Sequence, residues 1–500
     1  MPQVNPAMNI DDLEGVKLAQ RSWASAELRQ RVSVIGRLRR QLAEGAQALA
    51  ETIPTELPGA LHRTVADSLV AEVLPLIEAC RFLEREAELI LQTKRLGSEG
   101  QPGWFGEVET EVERAPWGVV LVIAAANYPL LLAGVQTLQA LVAGNAVLWK
   151  PAQGTEVVAF ALRTLLVECG LPAELLTVLD ARVESATGAI AAGMDHVVLT
   201  GSVETGKAVL RQCAETLTPV TMELSGCDAV FVLPGADLER AIAALGFGLR
   251  FNGSATCMAP RRVFLVGFAE GEASWFEGEL AAALDWLVDV PLAKKTEMLL
   301  RELIDDALSQ GARVLLHGIE EPGIEEPGIE KSGVEGEAGA TLITDATPAL
   351  KAMQTEIFAP ILSVMRAANL DEALAASAAC PYALTASVFG PEKEARVLAS
   401  KLRVGNVLIN DILVPTADPR VPFGGRGCSG FGVTRGAEGL LGMTTPRTIQ
   451  TQRDRSKRAY MATGDEHEEF FSGVAQMLHG RWNKRWRGLM RLIRAARGLK

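Results

Sequence analysis

Between residues 12 and 93 apolar positions recur at helical intervals, as in Val32, Ile35, Leu38 and Leu42, on a background of Ala, Leu, Glu and Arg. This predicts that the chain opens with several helices. From Pro116 the pattern changes to short apolar runs of strand length, at residues 119–124, 146–149, 175–179, 196–199 and 220–223, separated by helical stretches such as 130–142. Runs that are apolar throughout suit a parallel sheet buried on both faces. A second series follows at 229–233, 262–266, 313–317, 363–366 and 386–389, with a helix over 238–249. The expected architecture is α/β: a doubly wound, Rossmann-type domain over residues 1–225, then an α/β domain over 226–435.

Three segments depart from this alternation. Residues 115–149 hold no charged residue and are long enough to cross a bilayer, but Asn127, Pro129, Gln136, Gln139 and Asn145 break the run into strand, turn, helix and strand. Residues 318–337 repeat a five-residue Gly-Ile-Glu-Glu-Pro unit, too acidic and too broken by Gly and Pro to pack, which predicts a disordered surface loop. In the tail from residue 456, residues 481–500 carry eight Arg or Lys and no acid, and Trp482, Trp486, Leu489, Met490, Ile493 and Ala496 share one helical face. A basic amphipathic helix of this kind fits either peripheral contact with an anionic membrane surface or docking on the acidic body of the chain itself.

The net charge of −12 excludes a nucleic-acid binder and directs attention to small molecules. Seven cysteines without CxxC spacing fit reduced thiols in the cytoplasm, and five scattered histidines show no metal-ligand spacing. Residues 1–15 contain no apolar run, so no secretory signal is expected.

Two residues stand out chemically. Glu223, in Glu223-Leu224-Ser225-Gly226, closes an apolar strand, and strand ends of α/β sheets face the ligand crevice. Cys257 ends the Gly/Ser-containing loop Asn252-Gly253-Ser254-Ala255-Thr256 that follows a helix. Either residue alone is more often structural, since most single cysteines are inert buried thiols.

Their company decides otherwise. Pro116-Trp117-Gly118-Val119 with Asn127-Tyr128-Pro129, Lys150-Pro151-Ala152, Thr200-Gly201-Ser202 with Gly206, Glu223-Leu224-Ser225-Gly226, Glu356-Ile357-Phe358-Ala359-Pro360 and Pro422-Phe423-Gly424-Gly425 with Ser429-Gly430 follow one family's motifs in order. The chain resembles the aldehyde dehydrogenase superfamily from about residue 20 to residue 450. The resemblance implies NAD- or NADP-dependent oxidation of an aldehyde to its acid through a cysteine thiohemiacetal and thioester. Cys257 is then the nucleophile, Glu223 the base that activates water, and the Asn127 amide with the Cys257 N–H the oxyanion hole.

It also implies a pyrophosphate site at Gly201, Ser202 and Gly206, where a helix is expected to start near Val203. Lys150 and the neighbouring Gln153 would lie at the adenosine ribose, and Glu356 and Phe358 at the nicotinamide ribose and ring. The resemblance further implies that a strand near 107–115 pairs with one near 447–452, within 436–455, as the oligomerisation element of a homodimer or homotetramer.

Three departures matter. Gln153 stands where many relatives carry a ribose-binding glutamate, which removes a repulsive charge near a 2′-phosphate and favours NADP. Ser254-Ala255 and Ala126 replace the family's residues beside Cys257 and Asn127, and Ser225 replaces a glycine beside Glu223. Two rival readings remain: a coenzyme A-acylating enzyme of the same fold, which has no use for a hydrolytic base, and an inactive membrane-associated scaffold.

Overall fold

The computed structural model of the protein describes residues 10–57, 61–102, 107–319, 336–453 and 463–498. The chain divides into two compact units, Met1–Gln92 with Arg114–Pro446, and Thr93–Glu113 with Arg447–Lys500.

The first unit holds two large sheets, built from thirteen strands numbered here in chain order. They are β1 (Val119–Ile123), β2 (Ala146–Lys150), β3 (Leu176–Val178), β4 (His196–Gly201), β5 (Val220–Leu224), β6 (Asp228–Val232), β7 (Pro260–Val266), β8 (Arg313–Leu316), β9 (Thr341–Thr344), β10 (Ile361–Ala367), β11 (Thr385–Phe389), β12 (Asn406–Ile409) and β13 (Gly430–Phe431). The first sheet runs β13-β5-β4-β1-β2-β3, parallel except for β13. Strand order reverses between β1 and β4, the switch point at which doubly wound sheets bind ligands. The second sheet runs β8-β9-β10-β7-β6-β11-β12, parallel except for β8 against β9.

Both sheets are parallel because their central strands are apolar on both faces. All five residues of β1 and all seven of β7 are buried. The helix Leu131–Ala143 is buried along its whole length. The polar residues of the uncharged stretch are internal ties. Gln136 donates to Thr200 Oγ1 at 3.1 Å, Gln139 to the Gly436 carbonyl at 3.1 Å, and Asn145 to the Met443 carbonyl at 2.9 Å. No helix among the described residues is long and apolar enough to cross a membrane.

Three strands were not legible in the sequence. β9 and β12 are four residues each, and β13 is a Gly-Phe pair. β13 pairs Gly430 with Glu223. A Cβ at Gly430 would stand 2.1 Å from the Met222 carbonyl oxygen, so only glycine allows this approach.

In the second unit the strand Val108–Pro116 lies between Lys94–Leu96 and Thr444–Gln452. The helices Glu468–His479 and Trp482–Gly498 pack on each other. Gly473 and Gly488 sit at the crossing, where a Cβ would meet Leu492 N at 2.7 Å and Met477 N at 2.4 Å. Of the acidic repeat, residues 320–335 lie outside the described residues. At its end, Glu337–Ala338 pairs antiparallel with Val290–Pro291 rather than remaining loop, because Ala338 is buried there.

His196, at the start of β4, stacks on Trp117 at 5.2 Å and meets Thr221 Oγ1 at 3.2 Å. Burial pushes its imidazolium down to about 4. The folded chain therefore binds fewer protons than the unfolded chain between that value and about 6.5, and stability falls as pH drops through this window. Replacing His196 with Gln should remove at most ~3 kcal/mol of the loss, seen as a smaller shift of the denaturation midpoint between pH 7 and pH 4.5.

Candidate active site

Glu223 sits at the C-terminal end of β5, buried, with its backbone paired to β13. Its Oε2 accepts a 2.7 Å hydrogen bond from Thr434 Oγ1, whereas Oε1 has no partner among the described residues. A buried carboxylate oxygen left open in this way is placed to accept a proton from a water or a thiol. Immediately after it, Gly226 lets the second domain come close, since a Cβ there would lie 2.4 Å from the Cys257 carbonyl oxygen.

Cys257 follows a strained loop. The helix Leu238–Arg250 ends in a turn in which Asn252, Gly253 and Ser254 all have left-handed backbone, with φ of 56°, 59° and 63°. Two of these are not glycine, so side-chain bonds must hold the shape. Asn252 donates to the carbonyls of Asn127 (2.9 Å) and Ala255 (3.2 Å) and accepts from Arg63 Nη1 at 3.1 Å. Arg261, on β7, donates to Ser254 Oγ and to the Ser254 and Ala359 carbonyls at 2.7–3.0 Å. Ser254, where the resembled family has glycine, is thus used for its hydroxyl.

Asn127 is buried and donates to the Ala255 carbonyl at 2.9 Å, which engages one of its two amide hydrogens. Its neighbour Tyr128 shares a 2.7 Å hydrogen bond with Thr256. Arg63 pairs with Glu72, both side chains fully buried. The other Glu72 oxygen accepts from the N–H groups of Leu130 (2.6 Å) and Leu131 (2.9 Å), at the start of the helix Leu131–Ala143. A carboxylate at a helix N-terminus is favourable.

Two cavities meet here. A larger one of about 890 Å³ and a smaller one of about 280 Å³ are both lined by Glu223, Cys257 and Leu132. The smaller also touches Asn127, Gly201, Ser202, Ser225, Glu356 and Phe358. Ser202 caps the helix Val203–Thr216 by accepting from the Thr205 N–H, and Gly206 lets that helix settle on Leu224, whose Cδ1 a Cβ would meet at 2.8 Å. A helix N-terminus with unpaired N–H groups, faced by an acid and an aromatic ring, fits a dinucleotide's pyrophosphate, ribose and ring. Ser225, in place of the family's glycine, stands between the two walls, its single hydroxyl hydrogen within reach of either Glu356 or the Gly201 carbonyl 3.4 Å away. Burial pushes the Glu356 carboxyl up, against the Ser225 hydrogen bond.

Three predicted residues do not line this cavity: Gly206, which lies within the helix Val203–Thr216, Lys150 and Gln153. Lys150 ends β2 half-buried, its pKa lowered by burial against the charges of Glu156 and Asp180, and Gln153 is exposed in the turn beyond. Among the described residues no cluster of His, Cys, Asp and Glu could hold a metal.

Burial pushes the Cys257 thiol well up, and the charges of Glu223, Asp228 and Glu356 push it further. Burial likewise raises Glu223. Opposing both is a residue that the motif reading missed. Arg435 is buried, donates to the Thr416 carbonyl at 2.8 Å and lies 4.3 Å over the Phe423 ring, where its charge lowers both groups. Its sequence signal was faint: an arginine five residues past Gly430, next to Thr434, which holds Glu223.

The fold and this junction define a two-domain dinucleotide oxidoreductase with a cysteine and a carboxylate where its cavities meet. A model of the aldehyde dehydrogenase family matches residues 12–449. The chain is 30% identical over 492 residues to 4,4'-diapolycopene aldehyde oxidase of a Methylomonas species, covering 96% of this chain and 88% of that one. Among solved structures it is similar to NADP-dependent glyceraldehyde-3-phosphate dehydrogenase of Bacillus halodurans C-125 complexed with NADP (TM-score 0.77, 27% identity, 89% and 92% covered). It is similar also to an aldehyde dehydrogenase of Mycobacterium tuberculosis complexed with NAD+ (TM-score 0.77, 25% identity, 90% and 92% covered). The chain belongs to the aldehyde dehydrogenase family, and is an oxidoreductase that converts an aldehyde to an acid with NAD or NADP as acceptor.

Because the charge of Arg435 lowers Cys257 against burial and the surrounding carboxylates, Arg435→Met should move the thiol's titration further up. Iodoacetamide labelling of Cys257, followed against pH without cofactor, should still be rising at pH 9 in the parent protein. The variant should label about tenfold more slowly at each pH, because less of the thiol is ionised.

Proposed function

We propose that Cys257 is the nucleophile and Glu223 the hydrolytic base of this aldehyde oxidation. The supporting observation is that these two side chains line both cavities, so that a substrate in the larger one and a dinucleotide in the smaller one would meet at the sulfur. The Cys257 thiolate adds to the aldehyde carbon, forming a C–S bond and an oxyanion, and the Asn127 amide with the Cys257 N–H stabilises that charge. Bound NAD(P) supplies the acceptor for the hydride leaving this carbon. Water then attacks the resulting thioester and gives its proton to Glu223 Oε1. The C–S bond breaks, the acid departs, and Glu223 can return the proton to the sulfur. A coenzyme A-acylating reaction needs no such base.

In this reading Gly201, Ser202 and Gly206 form the pyrophosphate turn, Glu356 and Phe358 hold the nicotinamide ribose and ring, and Lys150 and Gln153 serve the adenosine ribose. The uncharged Gln153 leaves room for a 2′-phosphate, which favours NADP. The strands Val108–Pro116 and Thr444–Gln452 form an element through which two or four copies associate.

With purified protein, aldehydes, and NAD compared with NADP, Cys257→Ala should abolish turnover. Glu223→Gln should keep a single burst of reduced cofactor, stoichiometric with enzyme, and lose steady-state turnover by about a hundredfold or more. Loss of the burst in Glu223→Gln would assign the carboxylate to thiol activation instead.

The cytoplasmic enzyme touches membranes peripherally through its C-terminal hairpin. On the helix Trp482–Gly498, Trp482 and Trp486 are 87% and 69% exposed, and Met490 and Ile493 continue the same face. Arginines and lysines flank this face without any acid on that helix, as an interfacial helix requires. Full-length protein should co-sediment with vesicles containing phosphatidylserine and lose this on truncation after Ser456, whereas equal binding by both forms would exclude the hairpin.

A further inference from the structure

We infer that the larger cavity takes a long, apolar aldehyde, gripped along its hydrocarbon body, and not a short aldehyde carrying a second acidic group. The inference rests on Cys257 being the reacting sulfur. A cavity of about 890 Å³ is near the upper end of the few hundred to about a thousand Å³ usual for ligand sites. An aldehyde of two or three carbons would leave most of it to water. Its lining is dominated by apolar side chains, among them Leu132, Phe247, Phe251, Met258, Leu413 and Phe423, which offer dispersion contact, and the hydroxyls of Tyr128, Thr256 and Thr416 beside them are already hydrogen-bonded within the protein.

The charged groups point the same way. A substrate with a distal carboxylate needs a cation free to receive it. Arg63 is fully buried and engaged by Glu72 and Asn252. Arg435 donates through Nη1 to the Thr416 carbonyl, and although its Nε has no partner among the described residues, the charges it feels are those of Glu223 and Cys257, at the reacting end of the cavity and not at a distal one. Arg250 is exposed at the rim, where Glu56 and Asp67 also lie and oppose an anion. Apolar residues stand at the rim beside these charges. Val70, Val288 and Val414 line the cavity and are 55%, 76% and 58% exposed, so the apolar path runs from Cys257 out to solvent. Exposed apolar residues continuous with a cavity mark a place where an apolar ligand enters.

Each methylene removed from water adds about 0.8 kcal/mol, which is about fourfold in kcat/KM. In a series of unbranched alkanals from two to ten carbons, kcat/KM should climb about fourfold per carbon before levelling, with decanal far above succinic semialdehyde. Val414→Glu should cut kcat/KM for decanal by about tenfold and for propanal by less. A parallel reading needs no turnover: 2-decanone, which cannot be oxidised, should protect Cys257 from iodoacetamide at concentrations where 2-butanone does not. A flat chain-length series, a preference for succinic semialdehyde, or equal protection by the two ketones would overturn the inference. Failure of every aldehyde to be oxidised, with protection by 2-decanone intact, would instead count against the assigned chemistry and leave the apolar site standing.

Discussion

The left-handed turn at Asn252, Gly253 and Ser254 is the constraint on which the site depends. Left-handed backbone costs a non-glycine residue about 1–2 kcal/mol, so the turn would relax if nothing opposed it. It is opposed from two sides. The Asn252 side chain bridges Arg63, Asn127 and Ala255, and Arg261 holds Ser254 from the neighbouring strand. Arg63 in turn shares Glu72 with the first N–H groups of the buried helix Leu131–Ala143. The loop carrying Cys257, the turn carrying Asn127 and the helix behind them are therefore one hydrogen-bonded body. Although the Nε of Arg63 has no partner among the described residues, the remaining bonds of this network hold the loop and the turn together, which suits the proposed role of the Cys257 sulfur, since attack on a carbonyl carbon needs one geometry.

The same burial that fixes the geometry works against the chemistry. It raises the pKa of both Cys257 and Glu223, and it places negative charges around a group that must itself become negative. Arg435 offsets part of this. Its guanidinium is buried over Phe423 and beside Thr434, the residue that orients Glu223. A thiol kept protonated until substrate and base are both present is protected from idle oxidation, because the thiolate is the reactive form. The open Oε1 of Glu223 is the corresponding vacancy on the acceptor side.

The proposed reaction centre lies where the two sheets approach each other. The end of β5 supplies Glu223, the loop before β7 supplies Cys257, and Gly226 permits the contact that brings them together. Both cavities draw their walls from both domains. The smaller adds Thr200, Gly201 and Ser202, near a helix N-terminus, and Glu356, and the larger is dominated by aromatic and aliphatic side chains.

The alternation of apolar runs and helices made most parallel strands legible, because strands buried on both faces must be apolar throughout. The ordered motifs around Asn127, Glu223 and Cys257 likewise pointed to the family, since those residue types carry the chemistry wherever the fold places them. What stayed hidden depends on contacts between residues far apart in the chain. β13 is two residues long and exists only because β5 offers it an edge. Arg435 and Asn252 look like ordinary loop residues until folding buries them against Glu223 and Arg63. Local sequence carries propensity and period, and it determined the fold class, the family and the candidate reacting groups. Burial and charge proximity are properties of the assembled core, and only the tertiary structure decided how those groups are poised.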